Sequence, residues 1–226
     1  MKLKFNSESK TKRKKEDGLT LLECLVAISV IALTSGLIAP IMVFSVATRV
    51  QSQKAEQALQ LAQLEVDSIR VEVERGNYKT FLDGYPKTNK SESEIATTPA
   101  PTSMSNTLNN SDVKVARGID VDQDGEDDFA VQVFRTEGIE DSSDNTPLAF
   151  RVGVRIYDVD ALINNSGSLL LDSASLSFTS GEGERSRRPL AVVYSDVTSS
   201  DQDLSLCNYR SYLDASATVN DDIDCS

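Results

Sequence analysis

The feature that most limits the possible folds is an uncharged run of 25 residues, Cys24–Thr48, close to the N-terminus. About 20 apolar residues in a helix cross the hydrocarbon core of a bilayer, so this run is long enough to span a membrane. Glu23 stands immediately before the run, where a carboxylate is costly unless a partner group offsets its charge. Pro40 removes a backbone donor inside the run and predicts a kink or a local opening of the helix.

The distribution of charge predicts how such a helix would be oriented. Residues 1–18 carry seven basic and three acidic side chains, a net charge of +4, whereas the whole chain carries −12. Basic flanks stay on the cytoplasmic side, so we expect a single-pass protein of the inner (cytoplasmic) membrane whose C-terminal body lies outside, in the periplasm. An ordinary signal peptide would have a shorter apolar core. A plain membrane anchor would explain the run and the leader, but not Glu23.

The acidic body and the residue usage argue against two classes of function. A body near −16 is unsuited to tracking phosphates, so no nucleic-acid partner is expected. The chain has no histidine, the usual acid–base catalyst at neutral pH. Neither a catalytic constellation nor a phosphate-binding loop is evident in the sequence, and we therefore predict that the protein is not an enzyme.

Beyond Arg49 the sequence predicts an amphipathic helix. Apolar residues recur at steps of four and three and define one helix face: Ala55, Leu59, Ala62, Val66, Ile69 and Val73. Gly76 is a plausible C-terminal cap.

These N-terminal residues closely resemble the type IV pilin-like family, which includes pilins, minor pilins and pseudopilins. The family has a short basic leader ending in Gly, then Glu at the fifth mature position and Pro about 21 residues after the first. Gly18, Leu19, Glu23 and Pro40 occupy these positions here. Leu19 departs from the family's usual Phe or Met. The resemblance therefore supports cleavage before Leu19 more strongly than methylation of its amine. The resemblance covers residues 1–75.

The resemblance implies a sequence of processing and assembly. A prepilin peptidase would cut between Gly18 and Leu19 and N-methylate the new amine. Glu23 would then face the N-terminal amine of a neighbouring pilin or pseudopilin subunit, and Pro40 would mark the stretch that unwinds in the filament. The inner-membrane assembly platform is a further implied partner.

A narrower similarity points to one type of machine. Residues Leu19–Ile28 and Ala55–Gln60 look like the pseudopilins of cyanobacterial hormogonium polysaccharide secretion, which support surface gliding. A type II secretion pseudopilin is the neighbouring alternative.

The rest of the chain predicts an α+β fold, in which the long helix packs on a C-terminal antiparallel sheet. Residues 86–112 are rich in Ser, Thr, Asn and Pro, and predict a mobile loop that buries little apolar surface. The predicted strands are Phe129–Arg135, Leu148–Tyr157, Leu169–Phe178 and Leu190–Tyr194. The predicted regions are a basic leader (1–18), a transmembrane and assembly helix (19–48), an amphipathic helix (49–76), a flexible loop (77–112) and a β domain (113–226).

The cysteines fall into two groups. Cys207 and Cys225 predict a disulfide in an exported domain, closing a loop of roughly 18 residues worth about 3 kcal/mol. This region also resembles the C-terminal disulfide region of many pilins. Two unpaired thiols are the alternative. Cys24 reads as a small apolar residue packed between helices.

One acidic stretch has the spacing of a calcium loop. Oxygen-bearing side chains alternate, and a glycine follows the third of them. The candidate ligands are Asp120, Asp122, Asp124, Asp128 and, through its carbonyl, Glu126. The twelfth position of a full EF-hand loop would be Val131 rather than Glu, so only a shortened calcium site fits. A solvated acidic turn is the competing interpretation.

Two functions follow from the sequence. The first is a minor pilin or pseudopilin, a processed structural subunit of a filament that supports motility, polysaccharide secretion or protein secretion. The second is a single-span, membrane-anchored calcium-binding or adhesive domain that does not polymerise.

Overall fold

Over the residues that the structure describes, the fold is α+β with a mixed, six-stranded sheet. The computed structural model describes residues 20–76, 78–106, 112–140, 145–174, 184, 186–199 and 212. The chain divides into two units, Met1–Arg49 and Val50–Ser226. In chain order the elements are α1 (Leu21–Glu74), α2 (Lys79–Leu82), a 3-10 turn (Ile95–Thr97), β1 (Ser103–Ser105), β2 (Val115–Ile119), β3 (Phe129–Arg135), β4 (Ile139–Glu140), β5 (Pro147–Asp158), α3 (Val159–Asn165) and β6 (Ala191–Thr198).

Helix α1 is continuous over 54 residues. The backbone is helical at Pro40, so the helix is not locally opened there. Unwinding of this stretch on entry into a filament stays a prediction. The predicted C-terminal cap is confirmed, since Gly76 has φ of 81° and its N–H donates to the carbonyl of Val73 at 3.1 Å. Within the described part of the chain, no helix has the length and hydropathy needed to cross a membrane.

The sheet is built around β5, and it is not purely antiparallel as predicted. Its order is β1-β2-β3-β5-β4, and β6 also pairs with β5. Strands β1 and β2 are parallel, whereas all other pairs are antiparallel. Strand β1 (Ser103–Ser105) belongs to the segment between α1 and β2. It pairs with β2 at the edge of the sheet, in parallel orientation.

Three of the four predicted strands are confirmed, and the fourth is wrong over its described part. The prediction for β3 matches at both ends, β5 extends one residue further at each end, and β6 runs beyond the predicted Tyr194 to Thr198. Residues 169–174 form no strand. Leu169 instead packs in a small core with Tyr157, whose hydroxyl donates to the carbonyl of Leu170 at 3.0 Å. Residues 175–178 lie outside the described residues.

The main core lies between the second half of α1 and one face of the sheet. The buried helix residues are Ala58, Ala62, Val66, Ile69 and Val73. They pack against a cluster that includes Phe150, Val152, Val154 and Ile156 of β5. The predicted helix face is confirmed at Ala62, Val66, Ile69 and Val73. It is wrong at Leu59, which is 44% exposed, while its neighbour Ala58 is buried.

The connecting segment, residues 86–106, contradicts the prediction that it buries little surface. Ile95 and Thr98 are buried in it. Arg155 of β5 donates to the carbonyls of Thr98 at 2.7 Å and Ala96 at 2.8 Å, and Gln132 of β3 donates to the carbonyl of Pro99 at 2.8 Å. Polar side chains of the sheet thus bind backbone carbonyls of the segment. These hydrogen bonds hold a segment whose composition offers few apolar side chains for packing. Residues 107–111 lie outside the described residues.

Candidate functional site

The first candidate site is the start of α1, where aliphatic side chains are exposed on all sides of the helix. These side chains are each 53–84% exposed over the first thirteen residues: Leu21, Leu22, Leu25, Val26, Ile28, Val30, Ile31 and Leu33. Burying one such side chain stabilises by about 1.5–3 kcal/mol relative to leaving it in water. A continuous apolar surface of this kind marks contact with a protein partner or with lipid.

Glu23 is the acidic residue in the first turn of this helix. Its N–H donates to the hydroxyl of Thr20 at 3.3 Å, and the N–H of Cys24 donates to the carbonyl of Thr20 at 3.1 Å. Thr20 is therefore the N-terminal cap of α1. The positive end of the helix dipole also favours a carboxylate at this position. A local role as a helix-start residue thus stands beside the docking role expected for Glu23.

Thr20 is a site residue that was not among the residues predicted from the sequence. The spacing Thr20-Leu21-Leu22-Glu23 is that of a capping box, in which Ser or Thr precedes Glu by three residues. That pattern was visible in the sequence. The predicted cleavage residues, Gly18 and Leu19, lie outside the described residues, so their processing stays a prediction.

Polar contacts of Glu65 and Lys54 help to hold the second half of α1 on the sheet. Glu65 accepts hydrogen bonds from Arg117 of β2 at 2.7 Å and from the hydroxyl of Tyr85 at 3.1 Å. Burial and the neighbouring Glu65 raise the pKa of Tyr85 well above its usual value. Lys54 donates to Asp158 at 2.8 Å, and this bond raises the pKa of the Lys54 ammonium. These contacts fix the helix over residues 54–65 against the sheet.

The second candidate site is the acidic turn between β2 and β3. Carboxylate oxygens of Asp120, Asp122 and Asp124 all lie within 4.8 Å of one another. Oxygen ligands of calcium stand 2.3–2.6 Å from the ion, so oxygens that share one ion are separated by about 5 Å at most. Positive φ angles at Gln123 (62°) and Gly125 (96°) fold the turn tightly enough for this approach.

The same carboxylates also hold the turn through backbone hydrogen bonds. Asp120 accepts from the N–H groups of Gln123 at 2.6 Å and Gly125 at 2.9 Å, and Asp122 accepts from that of Asp124 at 3.1 Å. Such side-chain-to-backbone bonds are typical of aspartate-rich turns. The turn therefore has its shape from its own bonds, which favours the interpretation as a solvated acidic turn.

The neighbouring carboxylates of the turn affect the pKa of Asp122. The hydrogen bond from the Asp124 backbone lowers the pKa of Asp122. Desolvation and repulsion from Asp124, Asp128 and Asp120 outweigh that bond, so the pKa of Asp122 lies above its usual value. A cation would relieve this repulsion.

One of the four predicted carboxylate ligands does not join the three-carboxylate group. Asp128 accepts from the N–H of Val121 at 2.9 Å instead. The N–H of Glu126 donates to Asp124 at 2.8 Å, and the calcium role of its carbonyl stays a prediction. The structure thus brings together three of the four predicted carboxylates.

The cysteine predictions are mostly untested. Cys207 and Cys225 lie outside the described residues, so their disulfide stays a prediction. Cys24 is an exposed free thiol near the start of α1.

Comparison of the chain with protein-family models, with curated proteins and with solved structures finds no match. The family resemblance of residues 1–75 therefore depends on the motifs in the sequence, and the functions that it implies are proposals.

Proposed function

We propose that this chain is a processed structural subunit of a type IV pilus-like filament, a minor pilin or a pseudopilin. In this proposal the fold is pilin-like, with a long N-terminal helix whose first half is apolar and whose second half packs on the C-terminal sheet. The observation that carries the proposal is the start of α1. There an acidic first turn is followed by a helix with aliphatic side chains exposed on every side.

The exposed aliphatic surface supports assembly because it requires an apolar environment. Lipid supplies that environment before assembly, and the helices of neighbouring subunits supply it in a filament. The inner membrane is therefore the proposed location of the unassembled protein, with its C-terminal body outside. Helices that are apolar all round are buried in this way.

Glu23 gives the proposed assembly its register. Cleavage after Gly18 creates an amine at Leu19, and that amine on one subunit would pair with Glu23 of the next. Two unit charges about 4 Å apart attract by about 4 kcal/mol where the effective dielectric constant is near 20. A carboxylate left unpaired in an apolar environment is costly, so a subunit out of register is disfavoured.

The machine that uses the filament is proposed from two short stretches. Residues 19–28 and 55–60 favour a pseudopilin that supports polysaccharide secretion and gliding motility, with protein secretion as the neighbouring option. The implied partners are a prepilin peptidase, other pilin or pseudopilin subunits and the inner-membrane assembly platform.

The docking role of Glu23 is tested by comparing Glu23→Gln with Glu56→Gln. Glu56 is an exposed acid on the same helix, so its variant controls for loss of one negative charge. We expect Glu23→Gln to reach the membrane fraction at normal abundance and to fall at least tenfold in sheared filaments, while Glu56→Gln behaves as the wild type. Normal entry of Glu23→Gln into filaments would refute the docking role.

A second candidate function is a membrane-anchored calcium-binding or adhesive domain that does not polymerise. The mutual approach of Asp120, Asp122 and Asp124 favours it. Such a protein would be indifferent to the peptidase and to Glu23. Titration of the purified protein with calcium chloride in a calorimeter separates the interpretations, with Asp122→Asn as the variant and Asp112→Asn as the control. Absence of heat at millimolar calcium eliminates the calcium function.

A further inference from the structure

A cluster of three polar side chains joins the sheet to a residue near the C-terminus. Arg151 of β5 and Asp196 of β6 stand opposite each other in the strand register. The Arg151 guanidinium donates two hydrogen bonds to the Asp196 carboxylate, at 2.6 and 2.8 Å. The hydroxyl of Tyr212 donates to the same carboxylate at 3.1 Å, and the Tyr212 side chain is buried.

Arg151 also reaches the connecting segment. Its third contact is a 3.0 Å hydrogen bond to the carbonyl of Glu92. Side chains alternate between the two faces of a strand. Phe150 and Val152 lie in the core beneath α1, so Arg151 points to the opposite face of the sheet. The Arg151 guanidinium therefore contacts both Asp196 of β6 and the connecting segment on that face.

The geometry gives the Tyr212 hydroxyl an acceptor of unusual strength. Hydrogen bonds to an ionised acceptor are about twice as strong as those between neutral groups, and a two-bond arginine contact fixes the acceptor's orientation. The hydrogen bond from Arg151 lowers the pKa of Asp196, and the bond from Tyr212 lowers it further. Burial acts in the opposite direction, but the pKa lies below its usual value. The carboxylate is therefore ionised at neutral pH.

We propose that Arg151 and Asp196 form an internal docking site for the Tyr212 side chain, and that Arg151 couples this docking to the connecting segment. This role is independent of the proposed filament function. It is also independent of the predicted Cys207–Cys225 disulfide, which would close the loop that contains Tyr212.

The test is hydrogen–deuterium exchange on the full-length protein in detergent, read in peptides that contain Tyr212. Tyr212→Phe removes the hydroxyl and keeps the ring. Tyr194→Phe is the matched control, because Tyr194 lies two residues from Asp196 on β6 and its hydroxyl accepts from Arg155 instead. We expect about tenfold faster exchange around residue 212 in Tyr212→Phe and unchanged exchange there in Tyr194→Phe.

Arg151→Lys tests the coupling, since lysine keeps the charge and cannot reproduce the two-bond contact. Exchange should rise both around residue 212 and around residues 92–98. Wild-type exchange around residue 212 in Tyr212→Phe, or an equal rise there in Tyr194→Phe, would overturn the anchoring role. A rise confined to residue 212 in Arg151→Lys would overturn the coupling.

Discussion

The two halves of α1 have the same secondary structure and opposite relations to solvent. Residues 21–36 expose aliphatic side chains all round, whereas residues 50–74 bury one face against the sheet. Helix propensity cannot explain the difference, because both halves are helical. The difference lies in apolar contacts: among the described side chains of α1, those that belong to the core lie between Ala58 and Val73.

The largest expected effect comes from Ile69→Ala, which creates a cavity in the core between α1 and the sheet. Truncation of a buried isoleucine costs about 2–5 kcal/mol, so the free energy of unfolding should fall by that amount. Leu64→Ala, at a position 65% exposed, and Ile28→Ala, at one 68% exposed, should cost less than about 1 kcal/mol. Thermal unfolding followed by circular dichroism measures all three. A loss in Ile28→Ala as large as that in Ile69→Ala would break the comparison between the halves.

A smaller effect is expected from Glu65→Gln, which removes the charge that Arg117 faces. The Arg117 guanidinium would stay half-buried without its anionic partner, at a cost of about 1–3 kcal/mol. In a protein of this size that corresponds to a fall in Tm of roughly 2–12 °C. The exposed Glu56→Gln should leave Tm unchanged. Equal Tm values for the two variants would mean that the ion pair of Glu65 with Arg117 does not stabilise the fold.

The smallest effect is a pH dependence from Lys54. Its bond to Asp158 raises the pKa of Lys54 in the folded state. Its contribution to stability is therefore complete below the unfolded pKa, near 10.4, and is lost as pH rises through the folded value. The pair is partly exposed, so the loss should be under about 1 kcal/mol. Between pH 9 and 12 the Tm should fall slightly more in the wild type than in Lys54→Met. Parallel curves would mean that the bond between Lys54 and Asp158 does not contribute measurably to stability.

The sequence predicted well wherever one physical pattern acted alone. Period-two alternation located β3 and β5, and the glycine after the amphipathic run located the end of α1. The predicted helix face included Leu59 instead of Ala58, because the two residues are adjacent and both are apolar. Periodicity could not decide which of them faces the sheet, and the tertiary contacts decide it.

The connecting segment shows why the remainder could not be predicted. Arg155 is fully buried, although a charged residue in an alternating strand normally indicates a face open to solvent. Backbone carbonyls of a distant segment bind its guanidinium, and no local pattern encodes that meeting. The acidic turn was located correctly, but the separation of Asp128 from the other carboxylates depends on its bond to Val121.

The most direct test of the filament proposal is the N-terminal sequence of the mature protein, taken from cells with and without a prepilin peptidase. The proposal predicts a start at Leu19 when the peptidase is present and a start at Met1 when it is absent. Protein that starts at Met1 in both cells would contradict processing, and the exposed first half of α1 would then belong to a plain membrane anchor.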